Sequence, residues 1–158
     1  MQIRRATKND LDGVNKLLKQ VLMVHHNGRP DLFKPNVKKY TDEQLLEIFE
    51  DDTRLVFVGV NEDNNVLGYA FCVFQQHVND NVLTDIKTLY IDDICVDENV
   101  RGQHVGKQIY EYVIDYARKE GFYNITLNVW SLNPAAIKFY ESMGLVPYKI
   151  GMEKVLVE

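Results

Sequence analysis

Residues 89–113, LYIDDICVDENVRGQHVGKQIYEYV, constrain this chain more than any other stretch. They read as a β-strand, a short acidic turn, a basic loop containing glycine, and an amphipathic helix. A strand at 85–96, a helix at 105–120 and a second strand at 124–129 make a crossover, which joins parallel strands with right-handed connectivity. The loop sets Arg101, Gly102 and Gly106 directly ahead of helix-forming residues. Backbone N–H groups, the positive end of the helix dipole and Arg101 then face one spot, which suits a pyrophosphate. The bland alternative is a plain loop whose glycines only turn the chain. No G-K-[ST] follows a glycine-rich loop and no G-x-G-x-x-G occurs, so the common nucleotide-binding loops are disfavoured.

The flanking segments decide what this unit packs into. Residues 1–5 form a short strand, and Thr7 to Asp10 read as a capping box. Leu11, Val14, Leu17, Leu18, Val21 and Leu22 then recur at helical spacing, so a helix runs to about Val24. Residues 25–36, HHNGRPDLFKPN, read as a loop, and 41–49 as a short helix capped by Thr41 with Gln44 three residues on. Strands at 55–60 and 66–76 form a hairpin about the turn NEDNN. A helix at 133–143 ends at Gly144, and two closing strands are expected at 145–148 and 152–157. Hairpins combined with a crossover give a mixed α/β sheet with helices on its faces. There is no repeat, low-complexity segment or linker, so residues 1–158 are read as one domain.

The formal net charge is −5 and no lysine- or arginine-rich block occurs, which counts against nucleic-acid binding. The longest apolar run, 66–74, is too short to span a bilayer, and residues 1–10 lack the apolar core of a signal peptide. A cytoplasmic protein without membrane partner is expected. Cys72 and Cys95 lie in apolar strand-like runs and read as buried free thiols of a reducing compartment.

A second group of residues lies in NVWSLNPAAIKFYESMGL, 128–145. Asn133 suits a helix N-cap and Pro134 the first helical position. Asn133 and Tyr140, seven residues apart, share one helix face. The Tyr140 phenol can donate a proton to a leaving group, or it is a core aromatic with a satisfied hydroxyl.

Taken together, these residues resemble the GNAT superfamily of N-acetyltransferases. Residues 101–106 resemble its acyl-CoA signature Q/R-x-x-G-x-G/A, and LYIDDICVDENV looks like its fourth strand. NPAAIKFYESMGL resembles its N-x-x-A-x-x-x-Y-x-x-x-G-F/L motif, and the element order matches over nearly the whole chain. One departure stands out: His104 occupies the position of the signature's first glycine.

The resemblance implies a mixed, mostly antiparallel twisted sheet of about six to seven strands flanked by about four helices. It implies acetyl-CoA as acyl donor, with no metal. The pantetheine would lie along Ile94, Cys95 and Val96, with an N–H near Ile94 polarising the thioester carbonyl. Arg101, Gly102, Gln103, His104, Val105, Gly106 and Lys107 would hold the pyrophosphate, and Asn133 would sit near the pantetheine. Tyr140 would protonate the departing thiolate after direct attack by a primary amine.

Acceptor chemistry is less constrained. Asp92 and Asp93 are adjacent on the strand, so only one faces the cleft unless a bulge re-aims the other. Asp93 is the first choice for proton removal, directly or through water, and Asp92 the second. The alternative is that they bind the ammonium or brace a loop. Some relatives that acetylate polyamines carry an acidic pair here, which favours a small cationic or polyamine-like acceptor, with peptide or protein amines also open. His26, Arg29 and Asp31 fall where the family lines its acceptor pocket, and equally read as polar residues of a lid-like loop. A homodimer is open, since family members often pair. The rival functions are an acyl-CoA-binding regulatory module without turnover and a small-ligand protein that binds no CoA.

Overall fold

In the computed structural model, which describes residues 1–158, one sheet carries five strands in the order β1-β2-β3-β4-β5. They are β1 Gln2–Arg5, β2 Arg54–Val60, β3 Val66–Gln75, β4 Thr88–Val96 and β5 Asn124–Leu127. The helices are α1 Leu11–Gly28, α2 Asp42–Glu50, α3 Val105–Lys119 and α4 Pro134–Ser142. The chain divides into two compact units, Met1–Asn128 and Val129–Glu158. The first holds the whole sheet with α1 to α3, and the second holds α4.

Neighbouring strands from β1 to β4 pair antiparallel, and β4 pairs parallel with β5 through the α3 crossover. The mixed α/β class therefore holds. Alternation along β2 explains the layering: Val56, Val58 and Val60 join Val14, Leu17 and Leu18 of α1 and Leu45, Ile48 and Phe49 of α2 in one core. Phe57, on the opposite face, meets Tyr112 and Tyr116 of α3 at ring separations of 5.3 and 5.1 Å. Helix α3 also comes close to the strands at Gly68. A Cβ there would lie 2.7 Å from Ile109 Cδ1 and 2.9 Å from the Cys95 carbonyl. No helix is long and apolar enough to cross a membrane.

At the N-terminus the Asp10 carboxylate accepts from the Thr7 N–H at 2.8 Å, as the capping-box spacing requires. It also receives the Arg4 guanidinium at 2.7 and 3.0 Å. Two expectations need correction. Helix α1 continues one turn past Val24, to Gly28, because the chain beyond folds back on it. His26 Nδ1–H donates to the Phe33 carbonyl at 2.6 Å, and the His25 and Phe33 rings lie 5.1 Å apart. The sheet has five strands rather than six to seven, since 145–148 and 152–157 form none. Apolar residues in them stand in solvent, Val146 at 78% and Met152 at 95% exposure. Apolar content makes a segment strand-like but supplies no neighbour for its backbone, and without a ladder the segment stays irregular.

Candidate functional site

The chemistry gathers where β4 departs from regularity. Phe71 pairs with Asp93, but Cys72 pairs with Ile91, so Asp92 is an extra residue with no partner on β3. This β-bulge bends β4 and re-aims its side chains. Asp93 stands opposite Phe71 and diagonal to Tyr69, whose own partner is Cys95. Tyr69, Phe71 and Cys95 all belong to the core beneath α1 and α2, which puts Asp93 on that face.

The wholly buried Tyr69 donates its hydroxyl to Asp93 Oδ2 at 2.6 Å. Burial pushes the Asp93 carboxyl above the usual carboxylate range. The Tyr69 hydrogen bond and the charges of Lys39 and His25 pull it only part of the way back, and Asp92 adds to the rise. The Tyr69 phenol is driven well above its ordinary value, first by burial and then by the charge of Asp93. Asp92 turns outward and meets Lys39, with Nζ 3.2 Å from Oδ2. Burial alone would lower the Lys39 ammonium, but the charge and hydrogen bond of Asp92, with the charges of Tyr40 and Asp93, together outweigh it and the pKa is raised. Lys39 also lies 5.4 Å from the centre of the Tyr40 ring, and that ring stacks on Phe71 at 6.1 Å.

One edge of β4 is free of strands beyond Ile91. The pairing with β5 stops at Ile91 and Leu127, while β3 follows β4 on to Val96. Ile94, Cys95 and Val96 thus have a strand on one side only. Cys95 is buried, its thiol pushed up to about 12 by burial, so it packs rather than reacts.

The chain then enters the basic loop. Gly102 has φ +82° and His104 φ +61°, ψ +21°, both left-handed. His104 is the N-cap of α3, no side chain caps that helix, and its first turn holds no acid. Arg101, Gly102, Gln103, His104 and Lys107 are exposed, Gly106 half-buried and Val105 buried. A left-handed turn feeding an uncapped fifteen-residue helix fits a pyrophosphate, whose oxygens accept from the backbone N–H groups that the helix cannot satisfy. The conformation also explains why the motif carries glycine where this chain has His104: a side chain there costs about 1–2 kcal/mol.

In the second unit Asn133 caps α4, its Oδ1 accepting from the Ala136 N–H at 3.1 Å. Tyr140 lies two turns on, its ring 5.3 Å from that of Phe139. In the loop after α1, Arg29 holds Asp31 through two hydrogen bonds of 2.9 and 2.8 Å, and His26 is engaged with Phe33. His26 and Asp31 are thus held by Phe33 and Arg29, whereas Asp92 meets Lys39 and Asp93 meets Tyr69. Sequence reasoning missed Tyr69, Lys39 and Tyr40. Tyr69 carries a signal only in retrospect, as a phenol in an otherwise apolar strand, and Lys39 carries none.

The acetyltransferase (GNAT) family profile matches residues 23–145. Among curated proteins, glucosamine 6-phosphate N-acetyltransferase of Arabidopsis thaliana is 32% identical over 68 residues, 43% of this chain and 44% of that protein. Ribosomal protein bS18-alanine N-acetyltransferase of Escherichia coli K12 is 38% identical over 63 residues, 40% of this chain and 41% of that protein. The chain thus spans less than half the length of these two curated relatives. Among solved structures, a mutant of a Bacillus halodurans protein is 32% identical and superposes with a TM-score of 0.94, covering 99% of this chain and 100% of that one.

Proposed function

The chain belongs to the acetyltransferase (GNAT) family, and from that premise we propose that residues 1–158 act as one N-acetyltransferase domain, transferring acetyl from acetyl-CoA to a small cationic or polyamine-like primary amine. The observation that carries this reading is the uncapped, left-handed start of α3, reached directly from a β4 edge that no strand covers. Acetyl-CoA, when bound, supplies an activated acyl thioester. Arg101, Gly102, Gln103, His104, Val105, Gly106 and Lys107 bind its pyrophosphate through backbone N–H groups and the Arg101 guanidinium. The exposed backbone of Ile94, Cys95 and Val96 takes the pantetheine as a further strand would pair. An N–H near Ile94 stabilises negative charge developing on the carbonyl oxygen.

Asp93 takes a proton from the acceptor ammonium, directly or through water. Its raised pKa suits that task, because a base works best when its pKa approaches the working pH. The neutral amine attacks the acyl carbon, the carbon–sulfur bond breaks, Tyr140 gives the departing thiolate a proton, and the proton shed by the new amide nitrogen restores the phenol, directly or through water. Holding both reactants in one complex contributes up to about 7–11 kcal/mol, so no acyl-enzyme is needed. Asn133 takes part in binding acetyl-CoA. Asp92, held by Lys39, borders the acceptor site, and His26, Arg29 and Asp31 line its approach. The working compartment is the cytoplasm.

Release of free thiol from acetyl-CoA over a panel of primary amines tests the proposal. Turnover should fall roughly 10²–10⁴-fold in Asp93→Asn and in Tyr140→Phe, with acetyl-CoA affinity retained. An unchanged rate in either variant removes that residue from its role. Stabilisation by CoA without thiol release on any amine would point instead to a regulatory acyl-CoA-binding module.

A further inference from the structure

The acidic pair on β4 is not matched by two vacant places for positive charge. Lys39, from the segment joining α1 to α2, already sits on one of the two carboxylates, 3.2 Å from Asp92 Oδ2. Its ammonium lies over the face of Tyr40, and Tyr40 is anchored by stacking on Phe71 in the core. The stem of Lys39 thus leaves a fixed aromatic support rather than a free surface.

The charged and titratable groups acting on this spot come from four elements. Asp92 and Asp93 belong to β4, Lys39 and Tyr40 to the α1–α2 connection, Tyr69 to β3, and His25 to α1. Arg54 of β2 lies 5.9 Å from the centre of the same Tyr40 ring. With Lys39 charged, the chain's own cation offsets one carboxylate and a single negative charge remains for the acceptor.

We infer that Lys39 is a specificity-determining residue: its ammonium on Asp92 restricts the acceptor to one positive charge, so the site takes a monoamine in preference to a diamine or polyamine. The inference rests on the acetyl-transfer reading and narrows its acceptor class. A second ammonium on the acceptor has either to meet Lys39, a like charge, or to displace it from Asp92 and Tyr40. Either route weakens a dication relative to a monocation of equal length.

The test uses the full chain saturated with CoA and two four-carbon probes, butylamine and 1,4-diaminobutane. Calorimetry gives the ratio of their affinities in the wild type, in Lys39→Met and in Lys39→Arg. The methionine variant keeps the stem and removes the charge, and it should move the ratio toward the diamine by about two- to fivefold. The arginine variant keeps the charge and should keep the wild-type ratio. A ratio unmoved in Lys39→Met, or binding of neither amine by any of the three proteins, overturns the inference. Thiol release from acetyl-CoA, measured on the same samples, separates the two claims. A shifted binding ratio without thiol release sinks the transfer reading and leaves the charge filter standing, and thiol release with an unmoved ratio does the reverse.

Discussion

Helices α2 and α3 begin in opposite ways. At α2 the Thr41 hydroxyl accepts from the Gln44 N–H at 3.1 Å, and the Gln44 side chain accepts from the Thr41 N–H at 2.9 Å. Asp42 and Glu43 add negative charge to that first turn. At α3 the N-cap is a left-handed His104, no side chain closes the turn, and no acid faces the dipole. Both helices present the same orphan donors and the same positive end. One spends them on its own side chains and gains local stability. The other forgoes that gain, and carries a strained residue besides, so its donors stay available to something outside the chain. A helix start that lacks the cheap solution available to its neighbour is where an anion is expected.

Four changes break or sharpen this contrast. Gly106→Trp fills the open start of α3 with a large ring and should lower CoA affinity about a hundredfold or more, since it displaces more than one charge-assisted hydrogen bond. The shift of melting temperature with CoA reads this, and an unchanged shift would mean that the loop is not the phosphate seat. Lys107→Glu gives α3 the acidic first turn that α2 has, and should weaken CoA by about tenfold while leaving the unliganded fold as stable or slightly more so. Thr41→Ala opens the start of α2 and should cost about 1 kcal/mol in denaturant unfolding with CoA affinity unchanged. Loss of CoA binding there would show that the two starts are not independent. His104→Gly should relieve the left-handed strain at α3 and stabilise the unliganded protein by about 0.5–1 kcal/mol, again by denaturant unfolding. Destabilisation there would show that the imidazole does more than occupy a costly conformation.

The β4–loop–α3 unit was legible in the sequence because strand pattern, glycine placement and helix periodicity agree over a contiguous run. The start of α2 was legible for the same reason, with Thr41 and Gln44 three residues apart. What stayed hidden depends on residues far apart in the chain. The one-turn extension of α1 rests on Phe33 returning to His26. The closing strands failed for want of a neighbour, which their apolar content does not supply. The possibility of a bulge at the acidic pair could be stated from sequence, but its presence is fixed by the register of β3 against β4. Tyr69 reaches Asp93 across 24 residues and Lys39 reaches Asp92 across 53, distances over which no local pattern speaks.

Gly68 carries no reactive group, yet it lies where α3 and the end of β4 meet β3, against Ile109, the Cys95 carbonyl and Val105. The absent side chain leaves room for Ile109 of α3 and for the Cys95 carbonyl of β4 on the same side of β3. The spacing between the start of α3 and the open edge of β4 thus rests on the absence of a single carbon atom. Even alanine at this position would press on the Cys95 carbonyl of the neighbouring strand and on the tip of Ile109, so strand and helix could not both keep their present places.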